Sequence, residues 1–123
     1  MRILVIDDDK AILKLITTML NQEGYDLITA SNGKEGLQLL SQESGIDLVI
    51  CDMIMPEKEG VETIHEIKQD YPNIKVLATS GGGYISGSKY LTMAQQLGAD
   101  TVLKKPFVYQ QLVDAVQELL GTK

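Results

Sequence analysis

Four places in this chain combine chemically capable residue types with positions that would present them. Asp7-Asp8-Asp9 closes the apolar run Ile3-Leu4-Val5-Ile6, and Asp52 closes Asp47-Leu48-Val49-Ile50-Cys51. Ser80-Gly81 follows Ile74-Lys75-Val76-Leu77-Ala78-Thr79, and Lys105-Pro106 follows Thr101-Val102-Leu103-Lys104. Each run reads as a short strand buried on both faces. Pro56 prevents the strand that ends at Asp52 from simply continuing. In an open α/β sheet the carboxyl ends of the strands form the ligand crevice, so these side chains point into a site and not into a core. Three carboxylates in one crevice repel unless a cation or protons intervene. Their hard oxygens suit a divalent ion such as magnesium, which uses few carboxylates and keeps several waters. A carboxylate can also be a covalent nucleophile, and a lysine can neutralise the oxygens of a transferring phosphoryl group.

The elements that must hold these residues alternate, strand then helix, five times over. Ile12, Leu13, Ile16, Met19 and Leu20 line one helical face, with Asp9 as N-cap and Gly24 as stop. Tyr25 to Ala30 reads as the second strand. Asn32, with Glu35 three residues on, opens a second helix through Leu37, Leu39 and Leu40. Val61, Ile64 and Ile67 stripe a third helix that ends before Pro72. Gly81 to Gly87 reads as a loop, and Leu91, Ala94 and Leu97 mark a fourth helix stopped by Gly98. Val108, Leu112, Ala115, Val116, Leu119 and Leu120 mark the fifth. Such alternation implies a parallel sheet covered on both faces by right-handed crossovers.

The acid pair, acid, hydroxyl and lysine at successive strand ends resemble the receiver domain of two-component response regulators, over essentially the whole chain. The resemblance implies a flavodoxin-like, doubly wound five-stranded sheet of order 2-1-3-4-5 with five helices, in one domain spanning 1–123. It implies that Asp52 is the phosphoacceptor, that Asp8 ligates magnesium directly and Asp7 through water, and that the Met53 carbonyl completes the set; manganese would substitute. Ser80 matches the switch hydroxyl, Thr79 being a competitor by residue type. Lys105 matches the phosphoryl-binding lysine, with a cis peptide to Pro106 aiming it inward and Lys104 left in solvent. The implied partner is a sensor histidine kinase or a histidine phosphotransfer protein, and the implied role is a signalling switch acting only on its own phosphorylation state. One departure stands out: where receivers often carry Tyr or Phe, three residues before the lysine, this chain has Val102. A valine cannot swing a ring between two positions, so the glycines at 81, 82, 83 and 87 suggest that the loop carries more of the switch.

Composition narrows the rest. A length of 123 residues supports one core. A net charge of −6 disfavours nonspecific binding to nucleic acid or anionic lipid. No apolar run approaches the roughly 20 residues of a membrane span. Cys51 is the single cysteine, so no disulfide framework exists, and a cytoplasmic setting follows. It is expected to pack in the core, as Met53 and Met55 are expected to pack in the loop. His65 falls on the polar side of the third helix as a surface residue. Asp7-x-Asp9 also permits a haloacid-dehalogenase-like phosphatase with Asp7 as nucleophile, although that pattern wants Thr or Val where Ala11 stands. A third reading, a receiver-shaped scaffold without chemistry, is disfavoured by the presence of every site residue.

Overall fold

The computed structural model describes residues 1–53, 59–80, 96 and 98–121. In chain order these form β1 (Arg2–Ile6), α1 (Lys10–Gln22), β2 (Asp26–Ala30), α2 (Gly33–Gln42), β3 (Ile46–Asp52), α3 (Glu59–Asp70), β4 (Lys75–Ser80), β5 (Thr101–Lys104) and α4 (Tyr109–Leu120). All strand pairings are parallel, in the order β2-β1-β3-β4-β5. That is the expected doubly wound order, with β1 and β3 side by side where the winding reverses. The helix expected around Leu91, Ala94 and Leu97 and the loop from Gly81 to Gly87 lie outside the described residues, as does Met55. Tyr25 stands just before β2 and not within it.

Strand alternation divides the core in two. Ile3, Val5, Leu48, Ile50 and Leu77 face Ile16 and Leu20 of α1 and Leu112, Val113 and Val116 of α4. Leu4, Ile6, Val49, Cys51, Val76 and Ala78 face Leu40 of α2 and Ile64 and Ile67 of α3. Cys51 is fully buried there, as its apolar neighbours require. Truncating one of the buried leucines or isoleucines to alanine costs about 2–5 kcal/mol. Among the described residues no helix is long and apolar enough to cross a membrane.

Local signals start and stop the helices as read. The Asp9 carboxylate accepts the Ala11 N–H at 2.9 Å, and Asn32 Oδ1 accepts the Glu35 N–H at 2.8 Å. Glu35 reaches back one residue further than a capping box would, accepting the Ser31 N–H at 2.6 Å. Gly24, past the end of α1, has φ +89°, which a side chain would resist.

Candidate acidic phosphoryl and metal site

The alternation that builds the core also aims the site. Ile3 and Val5 are followed two residues on by Asp7, Leu48 and Ile50 by Asp52, and Leu103 by Lys105, all on the face that packs against α1 and α4. Ile6 pairs with Cys51, so the next residue of each strand, Asp7 and Asp52, meet across β1 and β3. Both are almost wholly buried, whereas Asp8 is exposed. One oxygen from each of Asp7, Asp8 and Asp52 lies within 4.8 Å of the others.

Backbone bonds fix Asp7, and one ammonium reaches both buried acids. The Asp7 N–H donates to the Ala30 carbonyl at 3.1 Å, and Asp7 Oδ1 accepts the Asp9 N–H at 2.9 Å. Lys105 Nζ lies 2.8 Å from Asp7 Oδ2 and 3.5 Å from Asp52 Oδ2. The Lys105–Pro106 peptide is cis. The Lys105 N–H donates to the Ser80 carbonyl at 2.8 Å, tying the end of β5 to the end of β4. Burial acts to lower the Lys105 pKa, but the Asp7 hydrogen bond and the charges of Asp52 and Asp7 outweigh it and raise the value above its ordinary 10.5. Lys104 is exposed, as expected.

Thr79 and Ser80 are both buried. Ser80 Oγ is enclosed without a hydrogen-bond partner among the described residues. A buried hydroxyl left without a partner costs about 1–3 kcal/mol. The Thr79 carbonyl accepts the Met53 N–H at 2.8 Å, fixing the residue after Asp52. Met53 is itself fully buried.

Gly60 escaped the reading of the sequence and matters to the geometry. A Cβ there would lie 2.0 Å from the Asp52 carbonyl oxygen and 2.8 Å from that of Met53. Only glycine lets the first turn of α3 pack onto the backbone that carries the acid. The signal was present: a glycine inside a helix costs about 1 kcal/mol against alanine and so asks for a packing reason. Val102 is half-buried against the core on the α2 and α3 side. His65 is exposed, lining with Val61, Glu62, Glu66 and Gln69 a surface cavity of about 470 Å³ that includes none of the site residues.

The donor set fits magnesium: every side-chain donor is a hard carboxylate oxygen, few in number, with exposed Asp8 leaving room for water. Carboxylates, an ammonium and a hydroxyl with no partner among the described residues thus stand at adjacent strand ends. The family model described as the response regulator receiver domain matches residues 3–117. This chain belongs to that family. The receiver is 32% identical over 119 residues to the transcriptional regulatory protein CpxR of Escherichia coli, covering 97% of this chain and 49% of that protein. It therefore spans about half the length of these curated relatives. It is 33% identical over 122 residues to the sporulation initiation phosphotransferase F of Bacillus subtilis, covering 99% of this chain and 95% of that protein. A receiver domain protein from Clostridium thermocellum, 35% identical, superposes with a TM-score of 0.86 over 98% of this chain and 94% of its own. Phosphorylation switching in two-component signalling is the general function of such receivers.

Proposed function

We propose that Asp52 accepts a phosphoryl group from the phosphohistidine of a sensor histidine kinase or a histidine phosphotransfer protein, in the cytoplasm, within a receiver unit spanning 1–123. A carboxylate oxygen of Asp52 attacks phosphorus, the P–N bond breaks, and its electrons return to the imidazole, which takes up a proton. Magnesium, or manganese, would be held by Asp7, Asp8, Asp52 and the Met53 carbonyl, and would supply charge neutralisation for the phosphoryl oxygens. Lys105 binds one side of the phosphoryl group and the Ser80 hydroxyl donates to another of its oxygens. The protein acts on its own phosphorylation state and passes the change to a partner or an output domain; it turns over no separate substrate.

The observation that carries this reading is the Lys105 ammonium lying between Asp7 and Asp52 at 2.8 and 3.5 Å, inside a three-carboxylate cluster. The enclosed Ser80 hydroxyl supports it independently. Nucleophilic attack by Asp7 is disfavoured, because Asp7 Oδ1 accepts the Asp9 N–H and Oδ2 the Lys105 ammonium. Incubation with acetyl phosphate and magnesium, followed by mass spectrometry, tests the proposal. The added phosphoryl group is expected on Asp52, absent without a divalent ion and absent in Asp52→Asn; phosphate on Asp7 or Asp9 would overturn it. Ser80→Ala should still be phosphorylated, while the amide shift changes that follow in wild type are blunted.

A further inference from the structure

At the amino ends of β4 and β5 a second lysine joins three segments of chain. Lys68, in the last turn of α3, donates through Nζ to the Ile74 carbonyl and to Asp100 Oδ2, each at 3.1 Å. The same Asp100 oxygen accepts the Val76 N–H at 2.8 Å, and the Asp100 N–H donates to the Val76 carbonyl at 2.9 Å. The Lys68 stem lies against Gly98, where a Cβ would stand 3.3 Å from Lys68 Cγ. The two charged side chains are 20% and 25% exposed, and an ion pair alone at such a surface contributes little. Here each partner also holds main chain of β4 or of its approach, so the pair fixes where Asp100 stands relative to Val76.

β5 has few other means of holding its register. It is four residues long, pairs only with β4 among the described residues, and none of its residues is fully buried. A slip of one residue would turn every β5 side chain to the opposite face, and partial burial opposes this less than full burial does. The ladder runs from Leu77–Thr101 to Ser80–Lys104, and beyond it the Lys105 N–H meets the Ser80 carbonyl at 2.8 Å. That end lies about 15 Å from Asp100, at roughly 3.3 Å per strand residue. We infer that the Lys68–Asp100 pair sets the register of β5 on β4, and so brings Ser80 and Lys105 side by side from the opposite end of the sheet. Lys68 and Asp100 are thus positioning residues that act through the two strands. The inference rests on the reading that Ser80 and Lys105 bind the phosphoryl group carried by Asp52.

Two readouts on the folded protein test this, and the first needs no phosphorylation. In Lys68→Met, hydrogen exchange at the Lys105 amide, followed by NMR, should quicken by about tenfold more than exchange in the central strand β1. Labelling of Asp52 by acetyl phosphate and magnesium should slow by about tenfold, since a misplacement near 1 Å can cost about a hundredfold. Lys68→Arg keeps a cation that can reach both acceptors and should restore both values. Leu40→Ala, in α2 against β1 and β2, should lower the melting temperature yet leave the labelling rate of the folded protein unchanged. Should Lys68→Met fail to fold, Asp100→Asn takes its place; it still accepts the Val76 N–H but loses the charge, and should shift both readouts the same way by less. Unchanged Lys105 exchange, or changes that Lys68→Arg does not reverse, overturn the register role. Quickened exchange with an unchanged labelling rate overturns the positioning role. Quickened exchange with no labelling of Asp52 even in wild type overturns the functional reading and leaves the register role standing.

Discussion

Arg2, at the amino end of β1, and Lys105, beyond the carboxyl end of β5, are each surrounded by acids, yet the two ends of the sheet use their charges differently. Arg2 donates through Nε to Asp26 at 3.0 Å and through Nη1 to Glu43 and to the Ser44 carbonyl, each at 3.1 Å. Its own N–H reaches Asp47 at 2.9 Å, where the register between β1 and β3 shifts. The guanidinium fork gives each acceptor its own donor, and the assembly sits largely in water. It clasps three chain segments and leaves no chemistry pending. At the other end a compact ammonium serves two buried carboxylates unequally, a third acid stands exposed beside them, and a nearby strand ends in a hydroxyl with no partner among the described residues. Acid and base content are similar at both ends. Burial of the charges is what distinguishes the two ends.

Substitutions at the carboxyl end should therefore have large and metal-dependent effects, and those at the amino end small and salt-dependent ones. The largest is expected for Asp8→Ala. Losing a direct ligand should weaken magnesium binding by at least about tenfold, since even outer-shell partners of metal ligands cost that much. The metal-free variant should melt at a higher temperature than wild type, because carboxylate crowding is relieved. Unchanged magnesium affinity in calorimetry would place the ion elsewhere.

Gly60→Ala should come next, destabilising the fold by about 1–3 kcal/mol, the usual range for forced overpacking. The alanine Cβ must push α3 away from the Asp52 carbonyl, so phosphorylation of Asp52 should slow as well. Chemical denaturation together with acetyl phosphate labelling would check both, and a fully stable, fully reactive variant would show that the close approach is unimportant.

A smaller effect lies in the pH dependence of metal-free stability. The folded-state pKa of Lys105 is raised above 10.5, so its stabilising contribution is complete below that value and is lost as pH rises through the higher folded value. The stability gap between wild type and Lys105→Met should stay level at neutral and mildly alkaline pH and close only above about pH 10.5. A gap that closes near neutrality would mean that the ammonium is not paired as described.

The smallest change is expected for Arg2→Met. Melting temperature should drop slightly at low ionic strength, and the difference should fade in high salt as exposed pairs are screened. A large, salt-independent loss would make the amino-end clasp a buried element of the core and erase the contrast between the two ends.

Much of this protein was legible in its sequence because local rules decide it. Apolar runs of strand length, alternating with helical stripes such as Ile12, Ile16 and Leu20, can satisfy their burial only in a covered parallel sheet, and the caps at Asp9 and Asn32 mark where helices begin. The carboxyl ends of the strands form the crevice of such a sheet, which is why Asp7, Asp52 and Lys105 could be singled out by position and type. Three things required the tertiary structure. The partner of Lys105 depends on how β1, β3 and β5 lie in space, and the fold puts the shorter contact on Asp7, the acid assigned to metal and not the one assigned to phosphate. That the Ser80 hydroxyl is enclosed with no hydrogen-bond partner among the described residues is a property of packing that no residue type announces. A glycine inside a helix hints at a packing reason, but which backbone it packs on, the strand end eight residues away, is set by how the two elements lie in space.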